Sequence, residues 1–192
     1  MGPQKILIVL GSPRKNGNTA TLAEALAKGA GEAGAEVERF YLQGMSIHPC
    51  TGCDKCQEET DQLCVIDDDM QTLYGKVEQA DTLVIASPVY WFTVSAQTKL
   101  FMDRLYALGG PDGYSALEGK RIGIILAYAD PDPFVSGAVN ALRTFQDAFR
   151  YVGADIVGMV YGSASKAGEI KQNKDVMEKA YQLGGELGSH RP

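Results

Sequence analysis

The stretch from Lys5 to Leu10 (KILIVL) is almost wholly apolar and stops at Gly11, the pattern of a strand covered on both faces. From about Asn18 to Gly34 the period becomes helical, with Leu22, Ala25, Leu26 and Gly29 on one face, which predicts a crossover helix. Glu36 to Leu42 alternates Val37, Arg39 and Tyr41 against Glu36, Glu38 and Phe40, predicting a second strand near an exposed sheet edge. A cysteine-bearing loop follows. Asp67-Asp68-Asp69 then place oxygens and negative charge ahead of Met70, Leu73 and Val77, which reads as a helix cap in preference to a metal site. Further strands are predicted at Asp81 to Ser87, Arg121 to Tyr128 and Ala154 to Tyr161, with helices at Ala96 to Leu108, Ala138 to Tyr151 and Lys174 to Leu187. Strict alternation of strand and helix implies an α/β protein: a doubly wound, five-stranded parallel sheet with right-handed crossovers and helices on both faces. Its common order is 2-1-3-4-5, with ligand at the switch point beyond the carboxyl ends of strands 1 and 3.

Length and charge narrow the picture. The 192 residues contain no linker-like segment, so residues 1–192 read as a single domain with a cysteine-bearing loop at about 43–66. A formal charge of −6, with no run of Lys or Arg longer than a pair, argues against nucleic-acid or anionic-membrane partners. The first apolar stretch is too short for a signal peptide and no later one could span a bilayer, so a cytoplasmic protein is expected.

Two loops meet at the predicted switch point. The first, Gly11-Ser12-Pro13-Arg14-Lys15-Asn16-Gly17-Asn18-Thr19, combines hydroxyls, amides and cations where a helix begins, and reads as a phosphate cradle. It is not a Walker A loop, because five residues separate its glycines and Asn18-Thr19 follow. It also lacks the second glycine of a dinucleotide fingerprint. The alternative is an ordinary capped strand-to-helix turn. The second loop, Ser87-Pro88-Val89-Tyr90-Trp91-Phe92-Thr93-Val94-Ser95, carries the sole tryptophan between two other aromatics, and is expected to form a crevice for a flat heteroaromatic ligand. Packing of these rings in the core or at a subunit interface is the competing reading.

The phosphate loop GSPRKNGNT, the run SPVYWFTVSAQTKLFMDR from Ser87 to Arg104 and the segment CTGCDKC…CVIDDDM between Cys50 and Met70 resemble the flavodoxin-like NAD(P)H-dependent FMN reductase family. The resemblance covers about the first 105 residues closely and the remainder in its strand and helix rhythm. It implies a flavodoxin-like fold with FMN as cofactor and NAD(P)H as co-substrate. The FMN phosphate would fall to Ser12, Arg14, Asn16, Asn18 and Thr19. The ring would fall to Pro88, Val89, Tyr90, Trp91 and Phe92, with a third contact around Tyr128. No catalytic side chain is required, because hydride passes directly from nicotinamide to flavin N5. The expected reaction is a ping-pong transfer of electrons to a quinone, nitroaromatic, flavin or redox-protein acceptor. The alternatives are an iron-sulfur flavoprotein or flavodoxin-type carrier without direct NAD(P)H turnover, and a regulatory protein that keeps the fold without flavin. A homodimer or homotetramer is expected, with Trp91, Phe92 and the Gly109 to Ser115 segment near the subunit contact.

Cys50, Cys53, Cys56 and Cys64 have the spacing C-x2-C-x2-C-x7-C. Three readings stand: an iron-sulfur cluster such as [4Fe-4S], packed or oxidised thiols without metal, and tetrahedral zinc. The segment resembles the compact motif of iron-sulfur flavoproteins, although the fourth cysteine lies farther on than in a ferredoxin run and Val65, not proline, follows it. His48 and His190 read as non-ligands, and Asp103 with Arg104 as a structural ion pair.

Overall fold

A computed structural model describes residues 2–58, 63–110 and 113–189, leaving His190 and part of the Gly109 to Ser115 segment outside the described residues. In chain order the elements are β1 (Lys5–Leu10), α1 (Asn18–Glu32), β2 (Glu36–Tyr41), α2 (Met70–Gln79), β3 (Thr82–Tyr90), β4 (Thr93–Val94), α3 (Ala96–Arg104), β5 (Arg121–Tyr128), α4 (Ala138–Tyr151), β6 (Asp155–Ser163) and α5 (Lys174–Gly188). Short 3-10 turns occupy Leu42–Gly44, Lys55–Gln57, Leu105–Leu108 and Glu169–Gln172.

The long strands run parallel in the order β2-β1-β3-β5-β6, and β2 lies at the sheet edge. This is the expected flavodoxin-like arrangement with one addition. The two-residue strand β4 pairs antiparallel with the end of β3, Val89 opposite Val94 and Tyr90 opposite Thr93. Residues 88–90 therefore extend β3, where the sequence pattern ended the strand at Ser87. The predicted helix from Ala96 to Leu108 is helical only to Arg104 and tightens into a 3-10 turn.

Alternation along β1 divides the core. Ile6 and Ile8 face Leu22, Leu26, Ala180 and Leu187 of α1 and α5, whereas Leu7 and Val9 face Met70, Leu73, Phe101 and Phe145 on the other side. All of these side chains are buried, and such burial contributes about 1.5–3 kcal/mol for each large aliphatic or aromatic residue. Helices on both faces leave the carboxyl ends of β1 and β3 open beside each other, with Leu10 in register with Ala86. There the loops after β1 and β3 leave the sheet.

Candidate FMN site and the cysteine segment

A buried hydroxyl network ties the two loops together. Ser95 Oγ donates to the Gly11 carbonyl at 2.7 Å, its backbone N–H donates to Ser87 Oγ at 3.0 Å, and Ser87 Oγ donates to the Pro88 carbonyl at 2.9 Å. Ser95 also caps α3, accepting from the Thr98 amide at 3.2 Å, with the Thr98 hydroxyl 2.9 Å from its own. The contact is close enough to demand glycine: a Cβ on residue 11 would lie 1.9 Å from Thr98 Oγ1. Ser87, Ser95 and Thr98 are fully buried. Sequence reading missed their role, although three small hydroxyl residues in a stretch otherwise facing the core are the signal of a satisfied polar network.

In the first loop Ser12 and Thr19 are buried, Arg14 and Asn16 are exposed, and Asn18 is half-buried. Ser12 Oγ accepts from the Arg14 amide at 3.1 Å, which closes the loop into a tight turn. Among the described residues no side chain caps α1, whose N-cap is Gly17, so its first-turn amides are left facing the loop. Asn18 is engaged elsewhere: its amide donates to the Ala164 carbonyl at 3.1 Å and its carbonyl accepts from the Ile170 amide at 3.3 Å.

The aromatic loop departs from expectation. It is the tip of the β3–β4 hairpin, and Trp91 and Phe92 adopt φ of 48° and 67°. A two-residue hairpin turn of type I′ needs positive φ at both positions, which normally selects Asn-Gly. Large side chains there carry roughly 1–3 kcal/mol of strain each. The three rings do not line a closed crevice: Trp91 is 92% exposed, and Phe92 and Tyr90 are partly exposed. Pro88 is buried in β3 and Val89 is half-buried. The tip is braced by the start of α4, where Asn140 Nδ2 donates to the Phe92 carbonyl at 3.2 Å and Gly137 lies against the Phe92 backbone. Among the described residues, neither the Trp91 nor the Phe92 amide donates to a backbone acceptor outside the sheet ladder. Tyr128, at the end of β5, is buried, and that burial holds its phenol above the usual tyrosine range.

The cysteines are not assembled. Among the described residues no three His, Cys, Asp or Glu side chains form a group able to hold a metal ion. Cys50 and Cys53 are exposed, Cys56 is half-buried and Cys64 is buried. The Lys55 backbone N–H, helped by the Thr51 hydroxyl, draws the Cys53 thiol below its ordinary range. Cys64 Sγ instead accepts from Arg104 Nη2 at 3.5 Å.

Arg104 is the surprise of this region. Its expected partner Asp103 pairs with Lys99 on the helix surface. Arg104 turns inward and grips Asp68 with both terminal nitrogens, at 2.5 and 3.2 Å. It also donates to the His48 carbonyl at 2.8 Å and to the Tyr74 hydroxyl at 3.2 Å. It thus clamps both ends of the cysteine segment to the end of α3. Asp68 does accept from the Met70 amide at 3.0 Å, as a cap would, but its main partner is the buried guanidinium. His48 is exposed, with Nδ1 3.5 Å from Asp68.

Comparison with known proteins agrees with this layout. A family model described as NADPH-dependent FMN reductase matches residues 4–169. An iron-sulfur flavoprotein of Archaeoglobus fulgidus is 35% identical over 186 residues, covering 95% of this chain and 78% of that protein. An iron-sulfur flavoprotein of Methanocaldococcus jannaschii is 40% identical over 100 residues, 52% of this chain and 51% of its own, so the chain spans about half the length of that relative. Among solved structures, an NAD(P)H:quinone oxidoreductase from Methanothermobacter marburgensis shares the fold across 100% of both chains, with a TM-score of 0.79 at 19% identity. The chain belongs to the NADPH-dependent FMN reductase family of oxidoreductases.

Proposed function

We propose that the two loops at the ends of β1 and β3 hold FMN in a single FMN-binding domain, and that the protein oxidises NAD(P)H and reduces a quinone, nitroaromatic, flavin or redox-protein acceptor. One observation carries the reading: the Ser87–Ser95–Thr98 network fixes a loop rich in unclaimed donors beside an aromatic hairpin tip. The residues fit the group. Ser12, Thr19, the first-turn amides of α1 and the Arg14 charge offer a phosphate charge-assisted hydrogen bonds. Asn16 stands at the rim of the same loop, while Asn18 positions the helix start from behind.

Bound there, FMN would supply a two-electron acceptor and donor. The protein's own part is orientation and electrostatics. The Trp91 and Phe92 rings stand edge to face at 65°, so one exposed ring face, with the apolar Val89 at its base, is what the tip offers a planar ligand. In this reading the backbone amides of the turn stabilise negative charge on a heterocycle edge, and the Asn140 bond to the Phe92 carbonyl keeps the turn rigid. Tyr128 ends β5 one residue after Ala127, which is in register with Pro88, and in this reading supplies the third contact. Exposed apolar residues at this end, Trp91, Phe92, Phe134 and Val135, suit self-association into a homodimer or homotetramer. Steady NAD(P)H consumption with a simple quinone tests the enzymatic reading; bound FMN without turnover would make the protein an electron carrier.

A second reading is favoured by the 35% identity to an iron-sulfur flavoprotein over nearly the whole chain. Cys50, Cys53, Cys56 and Cys64 have suitable donor chemistry for a [4Fe-4S] cluster, but they do not fit one as they stand. Binding would require the exposed thiols and the buried Cys64 to come together, and no step of the proposed reaction depends on it.

A further inference from the structure

A groove of about 1070 Å³ runs along α1 and borders the phosphate loop through Leu10, Lys15 and Asn16; its volume is just above the roughly 300–1,000 Å³ common for small-molecule sites. Its floor is apolar, built from Leu10, Ala20, Ala23 and Met177, with the rings of Tyr41 and Tyr181 on its walls. Its rim is cationic in a chain whose net charge is −6: Lys15, Lys28, Arg39, Lys171 and Lys174 all line it.

Two of these cations are already matched. Arg39 pairs with Glu24 at 2.8 Å, and Lys28 lies 3.8 Å from Glu32 and over the Tyr181 ring. Lys15, Lys171 and Lys174 make no ion pair among the described residues, and the remaining lining carboxylate, Glu178, is held by Gln182. The unmatched cations come from separate segments that the fold gathers at one end. Asn18 ties the Ile170 amide, next to Lys171, to the start of α1, while the Tyr41 hydroxyl donates to the Pro13 carbonyl at 2.6 Å and joins the groove wall to the phosphate loop. Three unmatched cations against the single lining carboxylate left over, Glu178, leave a net positive potential at this end that favours an anion there. An apolar floor with flat rings favours a ligand that also carries a flat, uncharged body.

We propose that this groove binds a phosphorylated nucleoside, its phosphate among Lys15, Lys171 and Lys174 and its base along Tyr41. The source is either the adenosine end of NADPH, an assignment that rests on the reductase reading above, or a free adenine nucleotide. Calorimetric titration of the purified full chain with 2′,5′-ADP and with adenosine tests it. The expected result is saturable binding of 2′,5′-ADP, on the order of tenfold weaker for adenosine and weakened by a similar factor in the Lys171→Ala/Lys174→Ala double variant. FMN affinity and melting temperature of that variant stay unchanged. Competition between 2′,5′-ADP and NADPH in turnover assigns the groove to the dinucleotide; binding without competition assigns it to a free nucleotide. No saturable binding, or equal binding by the double variant, overturns the proposal. The titration needs no bound flavin, so a protein that takes up no FMN would sink the reductase reading alone.

Discussion

Gly137 lies against Phe92 so closely that a Cβ on residue 137 would sit 2.5 Å from the Phe92 Cα and 2.7 Å from its carbonyl oxygen. Gly137 itself has φ of 76°, a conformation that glycine adopts without penalty. The contact holds the Trp91–Phe92 turn in its left-handed form, together with the Asn140 bond.

Gly137→Ala is therefore expected to cost about 1–3 kcal/mol of stability through strain and collision with backbone that has no room to yield. Asn140→Ala removes one hydrogen bond and leaves the glycine contact. It should melt within a few degrees of the parent while binding FMN several-fold more weakly. Thermal unfolding and FMN titration of both variants check this; equal FMN affinity in Asn140→Ala would mean that the turn does not touch the flavin.

The Arg104–Asp68 pair has side-chain exposures of 1% and 0%, so breaking it leaves a buried charge alone. Arg104→Met and Asp68→Asn should each destabilise the fold by roughly 3–5 kcal/mol, more than either half of a surface pair. Replacing both residues with apolar ones should recover much of the loss. Denaturant unfolding of the two singles and the double gives the comparison.

The same pair makes a prediction about acid. Burial pushes the Asp68 carboxyl up, but the Arg104 bonds and the His48 and Met70 amides outweigh it and hold the group below the usual carboxylate range. A lowered folded value contributes stability above the unfolded value, and that contribution is lost as pH falls through the folded one. The gap in stability between wild type and Asp68→Asn should thus be full at neutral pH and shrink below about pH 4. A gap that stays constant into strong acid would show that Asp68 is not the group concerned.

Ser12→Ala and Thr19→Ala should each weaken FMN binding by about 1–3 kcal/mol, the range for losing a hydrogen bond to a charged group. Ser95→Ala should act in the same direction through the Gly11 carbonyl, without touching the ligand. Unchanged affinity in all three would move the phosphate away from this loop.

Much of this was legible in the sequence because it depends on local pattern. Runs such as KILIVL and RIGIILAY announce strands buried on both faces, and Glu36 to Tyr41 announces an edge strand. What was hidden depends on pairs distant in the chain. Asp68 and Arg104 are 36 residues apart, Gly11 and Ser95 are 84 apart, and no periodicity marks either. The Trp91–Phe92 turn misled for a different reason. Its residues contradict the preference of a positive-φ hairpin turn, so they read as a packed aromatic loop; the bracing that holds them, by Gly137 and Asn140, comes from more than 40 residues away.

For the cysteine segment, protein purified without oxygen is expected to carry iron and sulfide in near-equal amounts if the segment closes on a cluster, and to lose both in Cys53→Ala. Protein with neither would return Cys50, Cys53, Cys56 and Cys64 to the packed-thiol reading. FMN content should be measured on the same samples, since the loops proposed to hold it do not include these residues.

Trp91 is the sole tryptophan, and it stands on the loop proposed to hold the flavin ring. Intrinsic fluorescence during FMN titration therefore reports from the site itself. Quenching that saturates at one FMN per chain, and that shifts to higher FMN concentration in Ser12→Ala, is the predicted result. Tryptophan emission indifferent to bound FMN would place the cofactor elsewhere and contradict the account.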